Sequence, residues 1–79
     1  MPKFRVTVTY LSRVEDPEAL TVLKSLHTLG YERIKAIKIS KTFEFEFTGE
    51  KAEAEKDVKA ISSEILTNPV IQEFKIEEV

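Results

Sequence analysis

Apolar and polar residues alternate in four stretches of the chain, and each stretch is predicted to be a β-strand. Residues 4–10 show the pattern first, with Phe, Val, Val and Tyr separated by Arg and Thr. Residues 42–48 (TFEFEFT) place three Phe on one face and two Glu on the other. Residues 34–39 and 70–79 follow the alternation less strictly. A period of two with β-branched and aromatic residues is typical of strands with one buried face.

The connection between the second and third predicted strands decides which residues share a face. If Ile37 and Ile39 lie on the Phe face, the connection is a three-residue hairpin loop, Ser40-Lys41-Thr42. A two-residue loop would put the Ile and Phe sets on opposite faces. Ile34 and Ile37 break strict alternation, so an irregular entry or bulge is predicted near 35–36.

A helix is predicted over about residues 17–29. Asp16 is a good N-cap, and Pro17 fits the first turn because its missing N–H costs nothing there. Apolar residues then recur at helical spacing, and Gly30 stands where a C-terminal cap needs a positive φ.

A second helix is predicted from Glu50 to about Leu66, ended by Asn68-Pro69 because proline cannot continue a helix. Its apolar stripe has the spacing of one buried helical face, with Glu and Lys on the other side. The stripe consists of Ala54, Val58, Ile61 and Ile65.

The predicted order β-α-β-β-α-β indicates an α+β protein with the ferredoxin-like split βαβ fold. Right-handed crossovers give an antiparallel sheet of order 4-1-3-2, numbering strands along the chain, with both helices on one face. Residues 1–79 are expected to form a single domain. The strand residues predicted for the core are Phe4, Val6, Val8, Phe43, Phe45, Phe47, Phe74 and Ile76.

Composition changes this picture mainly by pointing to oligomerisation. A chain of 79 residues without cysteine has neither disulfides nor a Cys-based zinc site to stabilise it, and association is the remaining common route. The net charge of -2 is not the basic excess typical of nucleic-acid binders. No apolar stretch approaches the ~20 residues of a membrane span. With no signal-peptide pattern at residues 1–11 either, we expect a cytoplasmic protein bound to neither nucleic acid nor membrane.

The residues that could carry chemistry do not form a catalytic set. His27 is the only histidine, and a triad or metal site needs partners that this chain lacks. Glu44 and Glu46 would face Thr, Arg and Lys on an open sheet face, where both are expected to stay ionised.

Two features suggest contact with other molecules instead. Residues 31–41 carry four basic side chains, including Lys38 and Lys41, against one acid. Lysines can guard an edge strand, or they can meet an acidic partner or a phosphate. Leu66, Val70 and Ile71 bracket a corner around Asn68-Pro69, either as local packing or as a contact with another chain.

Four motifs together carry a family resemblance. Their order and spacing, kept along nearly the whole chain, resemble the PurS subunit of phosphoribosylformylglycinamidine synthase, and the Asn-Pro-Val-Ile turn is the most specific piece. The motifs are Asp16-Pro17-Glu18, Leu26-x-x-Leu29-Gly30-Tyr31, Ile34-x-x-Ile37-Lys38-Ile39-x-Lys41 and Leu66-x-Asn68-Pro69-Val70-Ile71-x-x-Phe74.

The resemblance implies a subunit that is not an enzyme by itself. Members of this family form dimers or higher homo-oligomers and join a glutaminase subunit to a large ATP-using synthetase subunit. That complex uses glutamine, ATP and Mg to convert formylglycinamide ribonucleotide to formylglycinamidine ribonucleotide in purine biosynthesis. The small subunit helps the two others to dock and to pass ammonia, and no cofactor is expected on this chain. The expected partner contacts are Lys38, Lys41, Asn68, Pro69, Val70 and Ile71.

Three residues depart from the family pattern. Ser40 stands where the family often has Gly, and serine tolerates a positive φ poorly in a tight turn. Lys38 occupies a position where the family more often has Arg, and lysine cannot form the two parallel hydrogen bonds that arginine makes to a carboxylate or phosphate. Phe74 stands for a more common Tyr.

Two other kinds of protein are alternatives, and the first of them, the ACT module, shares this strand order. A regulatory module of the ACT type would bind a small molecule, although such modules often have a Gly-rich first loop and residues 12–16 have no glycine. An acylphosphatase-like hydrolase needs an Arg-bearing phosphate cradle near the first strand. Arg13 is the only candidate for that cradle, again without the glycines.

Overall fold

The computed structural model describes the whole chain from Met1 to Val79, and it confirms an α+β protein. Three antiparallel strands form one sheet of order β2-β1-β3. The elements in chain order are β1 (Lys3–Tyr10), α1 (Pro17–Thr28), β2 (Ser40–Glu46), α2 (Lys51–Ile61), a π-helical segment (Ser62–Leu66) and β3 (Gln72–Glu78).

The predicted four-stranded sheet of order 4-1-3-2 is wrong, because residues 34–39 form no strand. The predicted hairpin loop, residues 40–42, belongs to β2 and is paired with Thr9, Val8 and Thr7 of β1. Only the two glycines of the chain have positive φ angles. Ser40 therefore does not take the conformation that a tight turn needs, and the chain enters β2 without reversing.

The core lies between the sheet and α2. Alternate residues of β1 point toward the helix, which explains why the period-two pattern of residues 4–10 is buried on one side. The three Phe side chains of residues 43–47 and Ile76 are only partly buried, and Phe74, predicted for the core, is 37% exposed. The buried cluster consists of Phe4, Val6, Val8, Ala54 and Val58.

The limits of α1 follow the predicted capping residues. The Asp16 carboxylate accepts hydrogen bonds from the backbone N–H groups of Glu18 at 3.0 Å and Ala19 at 3.3 Å. Gly30, at φ 100°, follows the last helical residues. The first N–H groups and the last C=O groups of a helix have no partner within the helix, and capping residues mark the positions where such a helix begins and ends.

The second helix changes its winding at Ser62. The predicted stripe continued through Ile61 and Ile65, but Ile65 is 75% exposed while Ser62 is buried and Leu66 packs against the core. A π-helix has more residues in each turn than an α-helix. The wider turn therefore brings Ser62 and Leu66 into line with Val58, and the prediction for Ile65 is wrong.

The single chain is extended rather than globular. It measures 51 × 24 × 14 Å with a radius of gyration of 16.2 Å, against about 12 Å for a compact domain of this length. None of the residues of α1 belongs to the core cluster, and Ala19 is its only buried residue. Neither helix has the length and apolar character needed to cross a membrane.

Candidate interaction surfaces

The connection between β1 and β2 forms an arm, which we define as residues 11–39. Residues 32–39 make no backbone–backbone hydrogen bond. The only hydrogen bond to their carbonyl groups comes from His27, whose Nε2–H donates to the carbonyl oxygen of Ile34 at 2.8 Å. Since backbone N–H and C=O groups are normally paired in a folded protein, this segment has a row of groups available to another strand.

Inside the arm, residues 35–39 lie alongside α1. A cleft of about 310 Å³ separates them, lined by the apolar side chains of Ala19, Leu20 and Leu23 on the helix and by Ile37 and Ile39 on the segment. Both isoleucines are half-buried, whereas Ala36 and Lys38 are exposed. The arm therefore has its own small two-layer arrangement, with α1 on one side of the segment and solvent on the other.

The outer edge of β2 is the second open surface. Strand β2 pairs only with β1, so its other edge is free. The rings of Phe43, Phe45 and Phe47 stack along it with centroids 6.5 and 6.0 Å apart, and all three are half-buried. A free edge beside a half-covered aromatic row is a surface that natural proteins usually cover.

Lys38 and Lys41 are not brought together in one hairpin. Lys41 is paired with Val8, whose side chain points into the core, and directly opposed residues share a face. Lys38 instead lies near Thr7, Thr9 and Glu73, on the open face of the sheet. The two lysines are exposed on opposite sides of the chain, so no single flat partner surface would meet both.

The corner at Asn68–Ile71 is held by its own hydrogen bonds. The Asn68 side chain accepts from the backbone N–H of Val70 at 3.1 Å, and the Asn68 carbonyl accepts from Ile71 and Gln72 at 3.1 and 2.7 Å. The Leu11 N–H donates to the Ile71 carbonyl at 2.9 Å, which attaches the corner to the start of the arm. Val70 is 74% exposed on this rigid turn. Local packing therefore explains Asn68 and Ile71, while the Val70 side chain is free to contact another chain.

On the open face of the sheet, one pair of charged side chains is bonded across neighbouring strands. Arg5 lies opposite Glu44 on one side and Glu77 on the other. Its Nε and Nη2 groups donate to Glu44 Oε2 at 3.1 and 2.9 Å. Glu44 is held as the acceptor of a two-point ion pair, as expected for a solvated charge ladder.

Sequence reasoning missed the arm and the exposed Ile65. Two signals for the arm were present: the broken alternation at Ile34 and Ile37, and Ser40 in place of the glycine that a tight hairpin favours. For the exposure of Ile65 no local signal exists, because its spacing from Val58 is that of an ordinary helix stripe.

Comparison with known proteins identifies the family. The family model described as PurS, phosphoribosylformylglycinamidine (FGAM) synthase, matches residues 3–79. The chain belongs to the PurS family. Phosphoribosylformylglycinamidine synthase subunit PurS of Archaeoglobus fulgidus is 36% identical over 64 residues, covering 80% of each chain.

Solved structures of PurS proteins have the same fold. PurS of Bacillus subtilis superposes with a TM-score of 0.89 at 26% identity, covering 100% of this chain and 99% of that one. A chain in the structure of PurLQS from Thermotoga maritima superposes with a TM-score of 0.74 at 31% identity, covering 99% and 96%. The PurS family therefore accounts for the three-stranded sheet with two helices.

Proposed function

We propose that this chain is a non-catalytic subunit of phosphoribosylformylglycinamidine synthase in purine biosynthesis. The full-length likeness to a chain in the PurLQS structure carries the proposal. In this role the chain bridges a glutaminase subunit and an ATP-dependent synthetase subunit. ATP and Mg are used by the complex rather than by this chain. The site of action is the cytoplasm.

The physical contribution of the chain is to hold two catalytic subunits in a fixed relative position so that ammonia passes between them. Packing that excludes water keeps ammonia from being protonated or lost on the way. A rigid adaptor suits this task, and the hydrogen-bonded corner at Asn68–Ile71 supplies a rigid apolar contact at Val70. Pro69, next to it, is exposed as well.

The chain also acts as a homo-oligomer, either a dimer or a tetramer. Its accessible surface is 6107 Å², about 1,200 Å² more than the roughly 4,900 Å² expected for a compact protein of 9.1 kDa. Half-covered aromatic rings and the unpaired segment 32–39 account for part of this surface. Association with further chains would cover it.

Co-purification tests the subunit role. A tagged chain expressed together with the glutaminase and the synthetase should retain both subunits and support glutamine-dependent synthesis of formylglycinamidine ribonucleotide. Failure to retain either subunit would reject the proposal. A thermal-shift screen with amino acids and nucleotides tests the alternative ACT-like role, for which the cleft beside α1 is a candidate site.

Matched variants test the proposed contact residues. Val70→Asp should reduce retention of a catalytic subunit, whereas Val79→Asp, an exposed valine at the end of β3, should not. Lys38→Glu with Lys41→Glu should weaken assembly. The pair Lys56→Glu with Lys59→Glu on α2 changes the charge equally and should leave assembly intact. Equal retention of each variant and its control would remove these residues from the proposed contacts.

A further inference from the structure

We propose that the outer edge of β3 receives an extended segment of one catalytic subunit as an added strand. The contact runs along β3 from Gln72 to Ile76. The incoming segment turns apolar side chains toward the α2 side of the sheet and a basic side chain toward Glu73. This proposal deepens the proposed function and rests on its subunit role, because it names a surface by which a catalytic subunit is held.

Strand β3 has a neighbour on one edge only. It stands at one end of the sheet order β2-β1-β3, so its outer edge meets no strand of this chain. A free strand edge presents a row of N–H and C=O groups with which a strand of another chain can pair. Main-chain hydrogen bonds hold such an added strand, and the side chains along the edge decide which sequence is accepted.

The register of β3 decides which of its backbone groups face outward. The Val79 N–H donates to the carbonyl oxygen of Lys3 at 3.0 Å, which continues the pairing of β3 with β1. Hydrogen-bonded and non-hydrogen-bonded positions alternate along antiparallel strands, so the odd-numbered residues of β3 turn their backbone groups toward β1. The N–H groups of Phe74 and Ile76 therefore point away from the sheet.

The residues with outward backbone groups also carry incompletely covered apolar side chains. Phe74 and Ile76 oppose two buried valines of β1, so both lie on the core face. Phe74 is 37% exposed and Ile76 is half-buried. A groove of about 260 Å³ between α2 and β3 has Phe4, Val58 and Ile76 as its apolar lining. Apolar side chains of an added strand would cover Phe74 and enter this groove.

The charges on the open face of this edge favour a basic partner. Strand β3 contains three Glu and one Lys, a net charge of -2. Glu78 is paired with Lys51, whereas neither Glu73 nor Glu77 makes an ion pair. Opposite charges that face each other across strands stabilise a sheet. A Lys or Arg of the incoming segment beside Glu73 would therefore strengthen the contact.

A catalytic subunit fits this edge better than a second copy of β3. A second β3 would bring another net charge of -2 to an edge that already has the same excess. If the two strands paired over their whole length, Glu73 of each copy would face Glu77 of the other, and like charges in opposed positions destabilise a sheet. The edge also begins directly after the corner at Val70, so one catalytic subunit can contact both.

Amide hydrogen exchange along β3 tests the contact without changing the sequence. In the isolated chain, the outward amides of Phe74 and Ile76 should exchange fast, and the inward amides of Glu73, Lys75 and Glu77 slowly. In the complex with both catalytic subunits, exchange at the two outward amides should slow by at least about tenfold, the effect of one net hydrogen bond. The inward amides are the internal reference. Exchange is quenched in the complex and read by NMR after the subunits are separated.

A proline at an outward position tests the same hydrogen bond by mutation. Phe74→Pro removes an N–H that the sheet of this chain does not use, and edge strands accept proline at such positions. Phe74→Ala is the matched control, because it removes the ring and keeps the N–H. In co-purification, Phe74→Pro should retain less of one catalytic subunit than Phe74→Ala does. Glu73→Lys should also reduce retention, whereas Glu64→Lys, an equal charge change at an exposed residue outside the edge, should not.

Three results would overturn the edge contact. The first is unchanged exchange at Phe74 and Ile76 when the complex forms. The second is protection of both amides already in the isolated protein, which would mean that a second copy covers the edge. The third is equal retention of Phe74→Pro and Phe74→Ala. If Phe74→Pro does not fold, the exchange measurement and the comparison of Glu73→Lys with Glu64→Lys decide.

The unmodified chain separates this contact from the subunit role. Retention of both catalytic subunits with unprotected β3 amides rejects the edge contact alone. Loss of a catalytic subunit by the unmodified chain rejects the subunit role and, with it, the edge contact.

Discussion

At the scale of single residues, burial separates two valines of the chain. Val6 has no exposed surface, while Val70 is 74% exposed. Val6→Ala removes buried methyl groups and leaves a cavity, so we expect it to lower the free energy of unfolding by about 2 kcal/mol. Val70→Ala should change it by less than about 0.5 kcal/mol. Urea titrations at one protein concentration check this, and equal losses would contradict the assignment of the core.

Asp16 is the residue on which the start of α1 depends. Asp16→Ala leaves the N–H groups of Glu18 and Ala19 without their acceptor and should destabilise the helix by about 1 kcal/mol. Amide hydrogen exchange at Glu18 and Ala19 measures the effect directly. Asp57→Ala, an exposed position within α2, is the control. Faster exchange of the same two amides in the control would show that the cap is not the cause.

At the scale of elements, the π-helical segment decides which side chain at the end of the second helix supports the core. Leu66→Ala should lower the free energy of unfolding by about 1–2 kcal/mol, less than for a fully buried leucine because Leu66 is half-buried. Ile65→Ala should have an effect below about 0.5 kcal/mol, since its side chain is exposed. The periodicity of an unbroken α-helix predicts the reverse order. Urea unfolding of the two variants distinguishes these arrangements.

An ion pair joins α2 to β3. The Lys51 ammonium donates to the Glu78 carboxylate at 2.8 Å, and this hydrogen bond, with the charge of Glu78, raises the pKa of Lys51 above its ordinary value of 10.5. A raised lysine pKa stabilises the folded state below the unfolded pKa, and the contribution is lost as the pH rises through the folded value. Glu78→Gln should return the pKa of Lys51 toward its ordinary value, while Glu77→Gln should not. An NMR titration of the Lys51 side chain measures this, and identical titration curves for both variants would contradict the pairing.

The elements that local chemistry defines could be predicted from the sequence. Alternation identified the three strands that the sheet contains, and Asp16 with Gly30 marked the limits of α1. The conformation of residues 34–39 could not be derived in this way, because alternation also occurs in a segment that pairs with no strand of its own chain. Ser40 was the local signal against a tight hairpin. Its strand conformation, however, depends on pairing with the distant residue Thr9. The partner contacts stay predictions, since exposure at Val70 and Lys38 does not say which chain covers them.

At the scale of the whole molecule, the division of the chain into a core and an arm has a thermodynamic consequence. The core around Val6 and Val58 is small, and α1 lies outside it, so the arm gains little stability from that core. If association covers the arm, folding and association are coupled, and the stability of the protein depends on its concentration. A chain that is complete as a monomer would have no such dependence.

The melting temperature should therefore rise with protein concentration. A hundredfold increase corresponds to about 2.7 kcal/mol of added association free energy, or roughly 5–10 °C for a dimer of this size. Lys38→Glu, at a proposed contact residue, should lower the melting temperature most at low concentration, where association is weakest. Lys56→Glu changes the net charge equally on an exposed part of α2 and should follow the unmodified protein. Melting curves over that concentration range decide the matter, because a melting temperature independent of concentration means that the arm is stable within a single chain.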